Sequence, residues 1–103
     1  MGLPFDFLSS HMYPTDPQCP TGTEWGPDCL PRSVRALKEN LTKIPAFATI
    51  PLYLTEYNAG CGVGYPQHDT SGAAAFVFRT IGELDGVVSL LSWWTFSDVF
   101  EES

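Results

Sequence analysis

The sequence predicts an α/β fold on a parallel sheet, and three observations carry that prediction. Three short apolar runs occur, at residues 5–10, 51–55 and 87–94. Two amphipathic stretches with helical spacing lie between them. The second and third runs are mostly apolar, as strands covered on both faces are, rather than alternating like a half-solvated antiparallel sheet.

The first run, Phe5 to Ser10, reads as a short strand. It feeds a long loop rich in turn formers: Pro14, Asp16, Pro17, Pro20, Gly22, Gly26 and Pro27. Pro31 then falls where a first helical turn tolerates proline. Behind it Leu30, Val34, Leu37, Leu41 and Ile44 recur three or four residues apart, with Arg35, Lys38 and Glu39 on the wet side. Pro45 and Pro51 bracket the exit. Pro51 to Thr55 is the second strand, running into Glu56-Tyr57-Asn58 and a glycine-rich turn, Gly60 to Gly64. Asp69, Thr70 and Ser71 are all good helix N-caps. Ala73, Ala74, Val77, Ile81 and Leu84 are expected to form the second helix's apolar face, ended by Asp85-Gly86. Val87 to Trp94 is the third strand. No internal repeat or low-complexity tract interrupts this order.

The chain has 103 residues, enough for one domain at most. A chain of this size buries roughly two thirds of its unfolded surface, and 44% hydrophobic residues supply a core. Charged residues are 17%, below the ~25% of an average globular chain, so much of the surface expects to be covered. A net charge of -7 repels polyphosphates. All five bases (Arg32, Arg35, Lys38, Lys43, Arg79) fall in the two helical stretches, leaving no basic stripe for a nucleic acid. Val87 to Phe96, the longest apolar run, is about half the ~20 residues a bilayer span needs, and no signal-peptide pattern is visible. Cys19, Cys29 and Cys61 form no C-x-x-C pair; Cys19 and Cys29 fit a bridge or two reduced thiols equally well. The sequon Asn40-Leu41-Thr42 accepts a glycan only in a secretory context. The compartment is therefore left open.

In parallel α/β sheets, functional groups gather where strands end and loops begin. The three strand ends here carry Ser9 to Tyr13, Glu56-Tyr57-Asn58, and Trp93-Trp94-Thr95-Phe96 followed by Asp98, Glu101 and Glu102. A carboxylate directly after an apolar strand is costly unless it is solvated or used. Acids, histidine, tyrosine and tryptophan at one sheet edge suit a carbohydrate: a flat ring stacks on the sugar's C–H face while polar groups bind its hydroxyls. Each residue alone has a plainer reading: a solvated rim carboxylate for Glu56, a satisfied core histidine for His11, core packing for Trp93 or Trp94, a solvated tail for Glu101 and Glu102. Because side chains alternate along a strand, only one of Trp93 and Trp94 can face the pocket; Trp93 is expected to point toward the helices. Gly60-Cys61-Gly62-Val63-Gly64 lacks the spacing and the Lys-Ser/Thr of a phosphate loop. Cys61 with His68 as a thiol and base, or with His11 and Asp69 as a metal set, has no supporting ligand spacing, so no cofactor or metal is expected.

Four segments carry a family resemblance: F-D-F-L-S-S-H-M-Y-P (5–14), P-L-Y-L-T-E-Y-N (51–58), H-D-T (68–70) and S-W-W-T-F-S-D-V-F-E-E (92–102). In this order they resemble glycoside hydrolase family 39, and more closely its β-xylosidase branch than its α-L-iduronidase branch. The resemblance implies a partial (β/α)8 TIM barrel: residues 1–103 as one fragment of the catalytic domain, carrying strands six to eight and the two helices between. It implies a retaining, double-displacement hydrolysis of xylosides or related saccharides. Glu56 matches the catalytic nucleophile; His11, Tyr13 and Asn58 match residues around the sugar subsite; Trp94 matches the stacking tryptophan; Glu101 and Glu102 match acids that bind sugar hydroxyls. The family's acid/base is the Glu of an Asn-Glu-Pro motif, which does not occur in these residues. A non-catalytic carbohydrate-binding or assembly module derived from such a barrel is the alternative. Three strands of eight cannot close, so the outer strands expect partners: the missing N-terminal part of the barrel or a second copy.

Overall fold

The computed structural model describes residues 4–17, 19, 26–62 and 65–95. Strand β1 (Leu8–His11), helix α1 (Cys29–Thr42), strand β2 (Leu52–Tyr57), helix α2 (Ser71–Leu84) and strand β3 (Leu90–Trp93) follow one another. All pairings are parallel, in the order β1-β2-β3. The first and third strands are shorter than their apolar runs. Phe5 and Phe7 leave the ladder to pack on the rings of Phe47 and Tyr53, at centroid distances of 5.5 and 4.8 Å.

Both helices lie on one face of the sheet. Leu30 and Val34 of α1 and Phe76 and Leu84 of α2 meet Leu52, Leu54 and Tyr57 of β2, with Met12, Ala59 and Ala73 completing the core. The buried face of α2 is Ala73, Phe76, Thr80 and Leu84. This corrects the face expected above: Ala74 and Ile81 are exposed, and Phe78 is 79% exposed. Ala73 and Leu84 of the expected face are buried, and the larger Phe76 ring joins them, tilted by 49° against Tyr57 at 6.4 Å. Arg35 joins the helices by donating to the Glu83 carbonyl at 2.7 Å, and Arg79 bonds the Glu83 carboxylate at 2.6 Å. That arginine bond holds the Glu83 carboxyl below its usual range.

Cys19 and Cys29 are bridged, fastening the loop after β1 to the first turn of α1. Cys61 is free and exposed. No helix among the described residues is long and apolar enough to cross a membrane. The other sheet face carries Phe7, Tyr53, Leu90 and Trp94 without a covering layer among the described residues, and an open hollow of about 670 Å³ runs along β3 from Leu90 to Thr95.

Candidate active site at the carboxyl ends of the strands

Regular alternation would place Glu56 on the same face as Leu52 and Leu54, against the helices. The register shows why it is not there. Leu54 pairs with Ser10 on one side and Leu91 on the other, but the next partners are Glu56 with His11 and Tyr57 with Trp93. One extra residue is thus accommodated in β2 at Thr55–Glu56, relative to both neighbours. A bulge of this kind re-aims the side chains that follow it. Tyr57 takes the helix-covered position, buried edge-on against Trp93 at 5.2 Å. Glu56 turns to the open face, with its side chain 22% exposed.

Two residues from the end of β1 receive its carboxylate. His11 Nδ1 lies 3.3 Å from Glu56 Oε2. Tyr13, 7% exposed, donates its hydroxyl to Glu56 Oε1. Burial, this hydrogen bond, and the nearby charges of Glu56, Cys61 and Asp16 push the Tyr13 phenol far above the ordinary tyrosine range. It is a hydrogen-bond donor throughout the neutral range. Tyr13 is itself held by a turn, its backbone N–H donating to Asp16 Oδ2 at 2.8 Å. Asp16 and Pro17 stand among the turn formers read from the sequence, which did not reveal the contact.

The end of β3 is tied to the same rim. Trp94 N–H donates to the Tyr57 carbonyl at 2.9 Å, and the Asn58 side-chain amide donates to the Trp94 carbonyl. Asn58 Oδ1 accepts the N–H of Ala59 at 2.6 Å. Both ends of the Asn58 amide are therefore engaged within the protein, and the Trp94 ring stands 46% exposed beside them. Trp93 packs against the core as expected. Glu101 and Glu102 lie outside the described residues.

The loop after β2 is built without a thiol–imidazole pair. Cys61 exchanges hydrogen bonds with Thr15, while His68 Nε2 meets the Gly60 carbonyl at 3.1 Å. Gly60 has no room for a side chain, because a Cβ there would enter the ring of Tyr65. Among the described residues no group of His, Cys, Asp and Glu is arranged to hold a metal ion.

Residues 2–103 match the model of Glycosyl hydrolases family 39. A β-xylosidase of Caldicellulosiruptor saccharolyticus is 36% identical over 103 residues, covering 98% of this chain and 21% of that protein. One of Geobacillus stearothermophilus is 32% identical over 108 residues, covering 97% and 21%. Two solved structures are similar in shape. A GH39 β-xylosidase from Caulobacter crescentus superposes with a TM-score of 0.72 at 29% identity, over 94% of this chain and 19% of that one. A monomeric β-xylosidase from Caulobacter crescentus CB15 gives 0.77 at 31% identity, over 94% and 21%. The chain thus spans about one fifth of the length of these relatives. With its parallel β-α-β-α-β order forming part of a (β/α)8 barrel, and with the family match extending from residue 2 to 103, the chain belongs to glycosyl hydrolases family 39.

Proposed function

We propose that this chain carries the nucleophile half of a retaining, β-xylosidase-like active site, as one segment of a (β/α)8 catalytic domain. The observation that supports this most is Glu56, turned out of the core by the β2 bulge, with the Tyr13 hydroxyl donating to one carboxylate oxygen and His11 Nδ1 3.3 Å from the other. In the proposed reaction the Glu56 carboxylate attacks the anomeric carbon. The bond to the leaving oxygen breaks, that oxygen takes a proton from a separate acid, and a glycosyl ester forms on Glu56. Water, deprotonated by the same group, then attacks the anomeric carbon and releases Glu56. The acid/base lies elsewhere in the domain, since no Asn-Glu-Pro occurs in these 103 residues.

His11, Tyr13 and Asn58 shape the subsite, Asn58 by fixing the end of β3 on which Trp94 offers its ring to the sugar. Glu101 and Glu102 supply further acids for sugar hydroxyls. The open sheet face and the free sides of β1 and β3 receive the remaining barrel. The edges of β1 and β3 carry neither the Lys nor the Pro that blunts an exposed strand, so the 103 residues alone should self-associate in light scattering and hydrolyse no xyloside.

The test uses the protein with this segment in its complete barrel. Glu56→Gln should lower xyloside turnover by several orders of magnitude without changing the melting temperature. Glu56→Ala should recover part of the rate with azide, yielding a glycosyl azide. Undiminished turnover in either variant removes Glu56 from the mechanism. A complete barrel that binds saccharide but never cleaves it favours the non-catalytic module.

A further inference from the structure

Two features unused by the glycosidase reading point to a covalent modification. The first is the Cys19–Cys29 bridge. Disulfides form and persist in oxidising compartments, including the lumen through which secreted chains pass, and are rare in the cytosol. The second is Asn40-Leu41-Thr42, an acceptor sequence for N-linked glycans with a non-proline middle residue.

The structure places this sequon where a glycan fits. Asn40 and Thr42 are exposed in the last turn of α1, whereas Leu41 between them packs toward the core. Asn40 Oδ1 accepts a hydrogen bond from Lys43 Nζ at 3.0 Å, and the Thr42 hydroxyl donates to the Glu39 carbonyl. Among the described residues the Asn40 amide nitrogen donates to none. The last turn of α1 also lies at the far end of the sheet from Glu56. The chain passes from it through 43–51 into the start of β2, and Lys38 Nζ ties the helix to the Ile50 carbonyl there at 3.1 Å. Leu52 and Glu56 are then separated by about 13 Å of strand, at ~3.3 Å per residue. A bulky, hydrated group on Asn40 leaves the rim of Glu56 and Trp94 open.

We infer that Asn40 is an N-glycosylation site of this chain and that the chain matures in a secretory compartment. In the transfer, the Asn40 amide nitrogen attacks the anomeric carbon of an oligosaccharide carried on a polyprenyl pyrophosphate. The N–C bond forms, the bond from carbon to pyrophosphate oxygen breaks, the pyrophosphate leaves with the electron pair, and the nitrogen loses one proton.

Cell-free translation of the chain into endoplasmic-reticulum microsomes, behind a cleavable leader, tests acceptor function on the nascent chain whatever its later folding. An amidase-sensitive upward gel shift is expected. Asn40→Gln and Thr42→Ala should each abolish it, and Thr42→Ser should retain it. In protein isolated from its own cells, the tryptic peptide spanning 39–43 should carry an amidase-releasable glycan, and without reduction only Cys61 should take up an alkylating label. A protease-protected chain with no shift, a shift that survives Asn40→Gln, or a bare 39–43 peptide from the native source overturns the proposal.

Discussion

Replacing Tyr13 by phenylalanine (Tyr13→Phe) removes one oxygen from beside Glu56 and almost nothing else. The ring is 7% exposed and keeps its packing. Asp16 still accepts the backbone N–H of residue 13 at 2.8 Å. What disappears is the hydrogen bond donated to Glu56 Oε1. Such a bond to an ionised group contributes about 1.5–3 kcal/mol. The Glu56 side chain is 22% exposed, so water replaces part of the loss, and His11 Nδ1 remains 3.3 Å from the other oxygen. The lower end of that range applies, about 1.5–2 kcal/mol. At ~1.36 kcal/mol per tenfold in rate, kcat/KM should fall roughly 10- to 30-fold. In the role proposed for Glu56 the phenol positions the attacking carboxylate rather than the sugar, so kcat should carry most of the change and KM little. Hydrolysis of an aryl β-xyloside by the complete barrel, with thermal unfolding followed in parallel, reads both quantities. A kcat/KM within about twofold of the unmodified protein, at unchanged melting temperature, refutes the positioning role.

Three further outcomes follow from the same geometry. Tyr13 and Tyr57 are both pushed upward, chiefly by burial. In an alkaline ultraviolet titration, two of the four tyrosines should therefore stay protonated beyond the ordinary range near ~10. The folded state keeps these protons longer than the unfolded chain, so their contribution to stability is complete below about pH 10 and declines above it; Tyr13→Phe should lessen that decline. Reducing the Cys19–Cys29 bridge, or Cys29→Ser, frees a short loop closed across a separation of 10 residues, and the denaturant midpoint should shift by the equivalent of roughly 2–3 kcal/mol. Gly60→Ala drives a methyl group into the Tyr65 ring and should cost about 1–3 kcal/mol; in a Tyr65→Ala background the same change should cost much less, and equal costs in both backgrounds would show that the ring is not the obstacle.

Hydrophobic periodicity is a local property, and it was sufficient to place both helices and all three strands in order. The leucine and valine spacing of residues 30–41 acts within one or two turns, so it is legible without knowing what packs against it; Thr70 takes the N-cap position of α2, but its hydroxyl donates to the Gln67 carbonyl rather than to the helix. Strand ends are less local. Phe5 and Phe7 look like strand residues, but they find aromatic partners in Phe47 and Tyr53 that only the folded chain brings near. The face of α2 was misplaced at Ala74 and Ile81, though not at Ala73 and Leu84, for a related reason. In Ala73-Ala74-Ala75-Phe76 several registers are equally apolar, and the one chosen depends on Tyr57 opposite Phe76.

The candidate site divides along the same line. That Glu56 and His11 stand at strand ends follows from sequence, because an ionisable group closing an apolar run must lie at a boundary; Trp94 follows as the last residue of the third run. Which face Glu56 takes does not follow. Alternation alone sends it into the helix-covered core, and the shift of β2's register against both β1 and β3 turns it outward. The partnership of Tyr13 with Glu56, 43 residues apart in sequence, and the pairing of Cys19 with Cys29 rather than Cys61, likewise depend on where β1 and α1 dock. Residue type and spacing determine which local structures are stable and where polar groups must stop. Contacts between distant segments form only when those structures are packed together, and at this rim they decide which atoms meet.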